Sequence, residues 1–186
     1  MAERIEALFE RAVQASLDAK GVDAQGIEDH LVKYLADAHA IESQAIDLLD
    51  KGRQIAGEPE LARIYAEHLE ETRAQQSAIQ ARLDAHGAQP NRLQDAVMRL
   101  GALNWGAFFG AQPDTPAKLA GFAFAFEHLE IGGYEQLARV ARRAGDDATV
   151  ETAERILDEE RAVARRIAQT WDRTIDASLE AVGATA

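Results

Sequence analysis

The sequence predicts an all-α protein, a four-helix bundle assembled from two long αα-hairpins. Three observations carry this. Apolar residues recur at helical spacing along four long stretches, and no run alternates apolar and polar residues for long enough to make a strand. Glycine and proline interrupt these stretches at two tight turns, Gly57-Glu58-Pro59 and Gly145-Asp146-Asp147. A glutamate sits within each apolar stripe at nearly the same distance from its turn: Glu42 lies 15 residues before Gly57 and Glu71 lies 14 after it, while Glu130 and Glu160 each lie 15 from Gly145.

Residues 1–26 read as a separate N-terminal unit. A short amphipathic helix runs over about 3–19 (Ile5, Leu8, Phe9, Ala12, Val13, Leu17), and a loop from Gly21 to Gly26 follows. The bundle occupies 27–180. Its first helix spans about 27–56. The second begins at Pro59, a residue suited to the first helical position, and stops at Gly87 and Pro90. A connector over 88–115 holds one short helical pattern (Leu93, Ala96, Val97, Leu100) and then a stretch rich in glycine and aromatics, including Trp105, Phe108 and Phe109. The third helix starts with Thr115 as its N-cap and Pro116 next, and ends at Gly145. The fourth runs from about Ala148 past Trp171, towards Leu179, as one helix. A connector this long can cross a bundle from end to end, so the second hairpin can stack on the first.

The four glutamates make the functional argument. A carboxylate on a core-facing stripe is costly unless it is paired, protonated or bound to a cation. In an antiparallel hairpin, equal distances from the turn mean equal height, here roughly 21–23 Å at 1.5 Å per residue. Stacking the hairpins brings all four to one level. Their spacing also reads as a degenerate repeat, with Glu42 and Glu130 88 residues apart and Glu71 and Glu160 89 apart. Inward carboxylates from facing helices are how bundles build dinuclear iron and manganese sites.

Composition narrows the function classes. The chain has 186 residues with 47% apolar content and four prolines, enough for one folded domain with a core. It has no cysteine, which removes disulfides, thiolate metal sites and thiol chemistry. The net charge is −12 with no basic block, so the footprints for nucleic acid and for a polybasic membrane anchor are both missing. The N-terminus lacks the apolar run of a signal peptide, and no stretch approaches membrane-spanning length. A cytoplasmic protein with neither nucleic acid nor membrane as partner is expected.

Several motifs resemble the YciE/YciF-type ferritin-like family. They are Tyr34-Leu35-Ala36-Asp37-Ala38-His39-Ala40-Ile41-Glu42, His68-Leu69-Glu70-Glu71-Thr72 with Gln75, Phe126-Glu127-His128-Leu129-Glu130-Ile131 with Tyr134-Glu135, and Ile156-Leu157-Asp158-Glu159-Glu160. The resemblance covers roughly residues 27–175. It implies a ferritin-like four-helix bundle, a homodimer, a dinuclear iron or manganese centre, and a link to stress responses. Metal ions are the partners it implies; O2 or peroxide is expected as the reactant because two metals bridged by carboxylates can cycle through two electrons together.

The chain departs from the wider ferritin-like pattern, in which the second and fourth helices carry Glu-x-x-His. Here the second has the reverse order, His68-x-x-Glu71, and the fourth has Val163 three residues after Glu160. The expected ligand set is therefore Glu42, His68, Glu71, Glu130 and Glu160. His39 and Glu127, at equivalent positions before Glu42 and Glu130, are further candidates. Gln75 and Tyr134, each one turn beyond a candidate ligand, are placed to orient it by hydrogen bond. A set rich in carboxylate and poor in imidazole favours manganese or iron over copper or zinc. The alternative is a non-enzymatic acidic helical scaffold, or stress-protective dimer, whose inward glutamates are structural.

Overall fold

A computed structural model describes residues 24–90 and 114–184, and every regular element among them is a helix. These are α1 (Ala24–Ile55), α2 (Pro59–Ala85), α3 (Thr115–Ala144), α4 (Asp147–Ala168) and α5 (Trp171–Ala181). The expected N-terminal helix and the connector's helical pattern and aromatics lie outside the described residues. No described helix is long and apolar enough to cross a membrane.

Local chemistry sets the hairpins. After α1 the chain turns at Gly57, whose φ of 67° is left-handed and where an added Cβ would lie 2.9 Å from the Pro116 ring. Glu58 then caps α2 by accepting the Leu61 N–H at 2.6 Å, with Pro59 opening the helix. The second turn uses Gly145, also left-handed at 74°, and Asp146, which caps α4 by accepting the Thr149 N–H at 3.1 Å.

α1 packs along α2 and α3 along α4; α1 also lies against α3, and α2 against α4. Leu31 and Leu35 share a cluster with Leu137 and Ala141, whereas Leu49 and Ala56 join Leu119 and Ala120, so α1 and α3 run antiparallel. At the end of α2, His86 meets Asp146 at 2.9 Å, while Pro116 near the start of α3 abuts Gly57. The chain therefore leaves α2 at one end of the bundle and enters α3 at the other. That is the single long crossover of a ferritin-like bundle.

Two details differ from the sequence expectation. Asp114, not Thr115, occupies the cap position of α3, without a side-chain capping bond; Thr115 is the first helical residue. The fourth helix is not continuous. The Thr170 hydroxyl bonds back to the Ile167 carbonyl at 2.7 Å and the chain turns at 169–170. The turn lets Trp171 pack edge-on against Phe124, ring centroids 5.4 Å apart, and α5 lies along α3, where the Ala117 N–H donates to the Ser178 hydroxyl at 2.9 Å.

The core is split. One apolar cluster, with Leu49, Leu61, Ile64, Leu119, Val163 and Ile167, fills the Gly57 end. Another, with Leu31, Leu35, Ile79, Leu83, Leu137 and Ile156, fills the Gly145 end. Between them lies a buried polar layer of Glu42, His68, Thr72, Gln75, Glu127, Glu130 and Glu160. Each fully buried Leu or Ile contributes about 1.5–3 kcal/mol, so the two clusters together offset the cost of burying that layer.

Candidate metal centre

Each of the four long helices contributes to the polar layer. α1 supplies Glu42, α2 His68 and Gln75, α3 Glu127, Glu130 and Tyr134, and α4 Glu160. The periodicity explains the choice on α2. His68, Gln75 and Ile79 fall along its inward stripe, whereas a step of three residues from His68 rotates Glu71 about 60° away. The Glu71 side chain is 44% exposed and touches only the outer ring nitrogen of His68, Nδ1, at 3.2 Å. The structure thus does not bring Glu71 into the layer; Glu127 completes it. His39 is half-buried and stands outside the group.

The contacts converge on His68. Its Nε2 faces Glu127 at 3.2 Å and Glu160 at 3.4 Å. Gln75 donates to Glu160 at 2.6 Å and also to the half-buried Glu159 at 3.0 Å. The Tyr134 hydroxyl donates to Glu42 across the α1–α3 interface. One ligand atom each from His68, Glu127, Glu130 and Glu160 can be chosen so that all four lie within 4.8 Å of one another.

Protonation shows what these groups lack. Burial pushes the Glu42 carboxyl up to about 8 against the pull of the Tyr134 hydrogen bond. Burial likewise raises Glu127 to about 8 despite the attraction of His68. Burial, then repulsion from Glu160 and Glu42, holds Glu130 well above the carboxylate range. Burial also disfavours ionised Glu160, but hydrogen bonds from His68 and Glu127 keep its pKa below the ordinary value. His68 rises well above a usual imidazole, because its carboxylate neighbours, Glu127 first, outweigh burial. Burial thus favours the protonated form of Glu42, Glu127 and Glu130, while His68 favours its charged form beside Glu160.

Those protons stand where a cation fits. Both Glu130 oxygens and Oε2 of Glu42 are buried without a hydrogen-bond partner among the described residues. Buried polar atoms are normally satisfied, and three unsatisfied carboxyl oxygens in one layer match an oxygen-seeking ion.

Fold and site together define a class: a ferritin-like helical bundle with a buried carboxylate–imidazole cluster that can hold a metal ion. A model of the family described as "Domain of unknown function (DUF892)" matches residues 26–180, and the chain belongs to that family. A solved protein from Xanthomonas campestris pv. campestris is 29% identical, with a TM-score of 0.71 over 84% of this chain and 99% of that one. YcfI from Rhodopseudomonas palustris is 26% identical, with a TM-score of 0.69 over 79% of this chain and 96% of its own. The E. coli stress protein YciF shares the fold at 23% identity, with a TM-score of 0.68 over 86% of this chain and 98% of its own. The YciE/YciF-type resemblance read from the motifs agrees with these matches.

Proposed function

We propose that the cluster binds two iron or manganese ions and that the loaded protein reacts with O2 or peroxide in a stress response. The observation that carries this is Glu130, 2% exposed, with neither oxygen hydrogen-bonded, beside three other ionisable ligands. A structural core gains nothing from such a group, because an unsatisfied buried acceptor costs about 1–3 kcal/mol.

When bound, a pair of such ions supplies two-electron redox chemistry towards O2 or peroxide. The chain's residues prepare the place for it. Gln75 and Tyr134 fix the orientations of Glu160 and Glu42. The apolar clusters on either side exclude water, which strengthens every charge interaction within the layer. Cation binding releases the protons held by Glu42, Glu127 and Glu130, so affinity rises with pH. A donor set of four carboxylates and one imidazole favours iron or manganese. The description of the E. coli neighbour as a stress protein supports the physiological setting. The family resemblance supports a cytoplasmic homodimer.

One observation favours a second reading, a metal-free scaffold. His68 is already met by Glu71, Glu127 and Glu160, so the layer can neutralise itself with protons. Anaerobic loading with Fe2+ or Mn2+ separates the two. About two ions per chain, lost in a Glu130→Ala, Glu160→Ala double variant, supports the dinuclear centre. Well under one ion per chain, with an unchanged melting temperature, supports the scaffold.

A further inference from the structure

A buried cluster needs a way in, and three concavities can be compared. A groove of about 410 Å³ between α3 and α4 is flanked by Arg139, Arg142 and Arg161, and none of the cluster lines it. A cavity of about 30 Å³ beside Tyr65 and Leu119 touches Glu127 but is almost wholly apolar, with Lys51 in its wall. The third, about 440 Å³, runs between α1 and α3. Among the described residues neither Lys nor Arg lines it; Asp37 and His128 do, and Glu130 and Tyr134 belong to its lining.

Two adjacent glycines open this groove. Gly132 and Gly133 lie in the interior of α3, where glycine is less favourable than alanine because it loses more backbone freedom on folding. Packing among the described residues does not require them: there a Cβ at Gly132 would meet nothing within 4 Å, and one at Gly133 only the Ile41 side chain at 4.0 Å. Among the described residues, their effect is to leave open the stretch of α3 beside Glu130, whose buried carboxyl has no hydrogen-bond partner there. A side chain at 132 would lean towards the N-terminus of its helix, over His128 and Leu129, which line the same groove.

We propose that the α1–α3 groove, kept open by Gly132 and Gly133, is the entry route for divalent cations to the buried cluster. This rests on the cation-binding reading above. A path that carries Asp37 and ends on Glu130, with no lysine or arginine among the described residues that line it, passes a cation at lower electrostatic cost than the arginine-flanked groove. Glu130 is then the first cluster ligand the incoming ion meets.

The test is the rate of Co2+ uptake by the full chain, followed by visible absorption after mixing, together with the final stoichiometry. Gly132→Phe is expected to slow uptake at least tenfold without changing the amount bound, while Gly132→Ala loads at the wild-type rate. Leu129→Lys changes an exposed residue at the groove, so it stays informative if Gly132→Phe does not fold. It is expected to slow uptake several-fold at low salt and to recover at high salt. Wild-type rates in both variants, with full Co2+ binding, overturn the entry route and leave the metal site standing. Absence of Co2+ binding by the wild-type chain overturns both.

Discussion

His68 and Glu127 stand on diagonally opposite helices, α2 and α3, and meet across the centre of the bundle at 3.2 Å. Glu71, one turn from His68 on the same helix, reaches that ring only from the outside. Glu127→Ala is therefore expected to abolish metal retention after anaerobic loading and desalting, while Glu71→Ala keeps the wild-type stoichiometry. Equal loss in both variants would contradict this ranking.

Removing the unsatisfied acceptor should stabilise the metal-free bundle at the expense of binding. Glu130→Met replaces a buried carboxyl, none of whose oxygens is hydrogen-bonded, with an apolar chain of similar length. Urea denaturation of the metal-free protein is expected to show a gain of about 1–3 kcal/mol. The same variant should bind no metal. A less stable variant would mean that Glu130 has a structural role that its orphaned oxygens do not reveal.

Stability of the metal-free protein should fall as pH rises from about 5 to about 8. Glu42 and Glu127 titrate near 8 in the folded chain and burial holds Glu130 well above the carboxylate range, whereas unfolded glutamates titrate near 4.3. Between those limits the folded state holds more protons than the unfolded one. His68 acts in the same direction: its raised pKa contributes stability that is complete below about 6.5 and is lost as pH climbs through the folded value. Glu160, with its lowered pKa, matters only in acid, where its contribution is lost. Saturating metal should reverse the slope, because the cation replaces the protons. Melting temperatures across this range, with and without Mn2+, give the comparison directly.

Asp146 ties three segments together. It caps α4 through the Thr149 N–H and accepts from Arg82 at 3.0 Å and from His86 at 2.9 Å, both beyond or near the end of α2. Burial opposes its ionisation, but hydrogen bonds from Thr149, His86 and Arg82 win and hold its pKa well below the usual range. Asp146→Ala should cost about 1–2 kcal/mol at neutral pH. A carboxylate with a lowered pKa loses its contribution as pH drops from about 4 towards the folded value, so the gap between variant and wild type should close in acid.

The hairpins, their turns and three of the four stripe glutamates were legible because glycine, proline and apolar spacing report local geometry. The choice between Glu71 and Glu127 was not. On α2, His68, Glu71 and Gln75 all lie on one broad stripe, and only packing against α1 and α4 decides which part of it turns inward. On α3 the same width of stripe buries both Glu127 and Glu130. The break at Gln169–Thr170 was equally hidden: no glycine or proline marks it, and what favours it is the tertiary contact of Trp171 with Phe124. The role of Glu159 followed from reach, since Gln75 is long enough to bond both carboxylates.

The division of the core into two apolar clusters bears on how the chain folds and breathes. Each end zips up from a tight turn through contacts near in sequence, which form early because little loop entropy opposes them. The polar belt between them gains nothing from early burial and is the last part to consolidate. In the metal-free protein the amides of the waist should then exchange with solvent before those of either end, through local openings that leave both ends intact. Cation binding would act as a rivet at that waist, joining two separately packed halves into one cooperative unit.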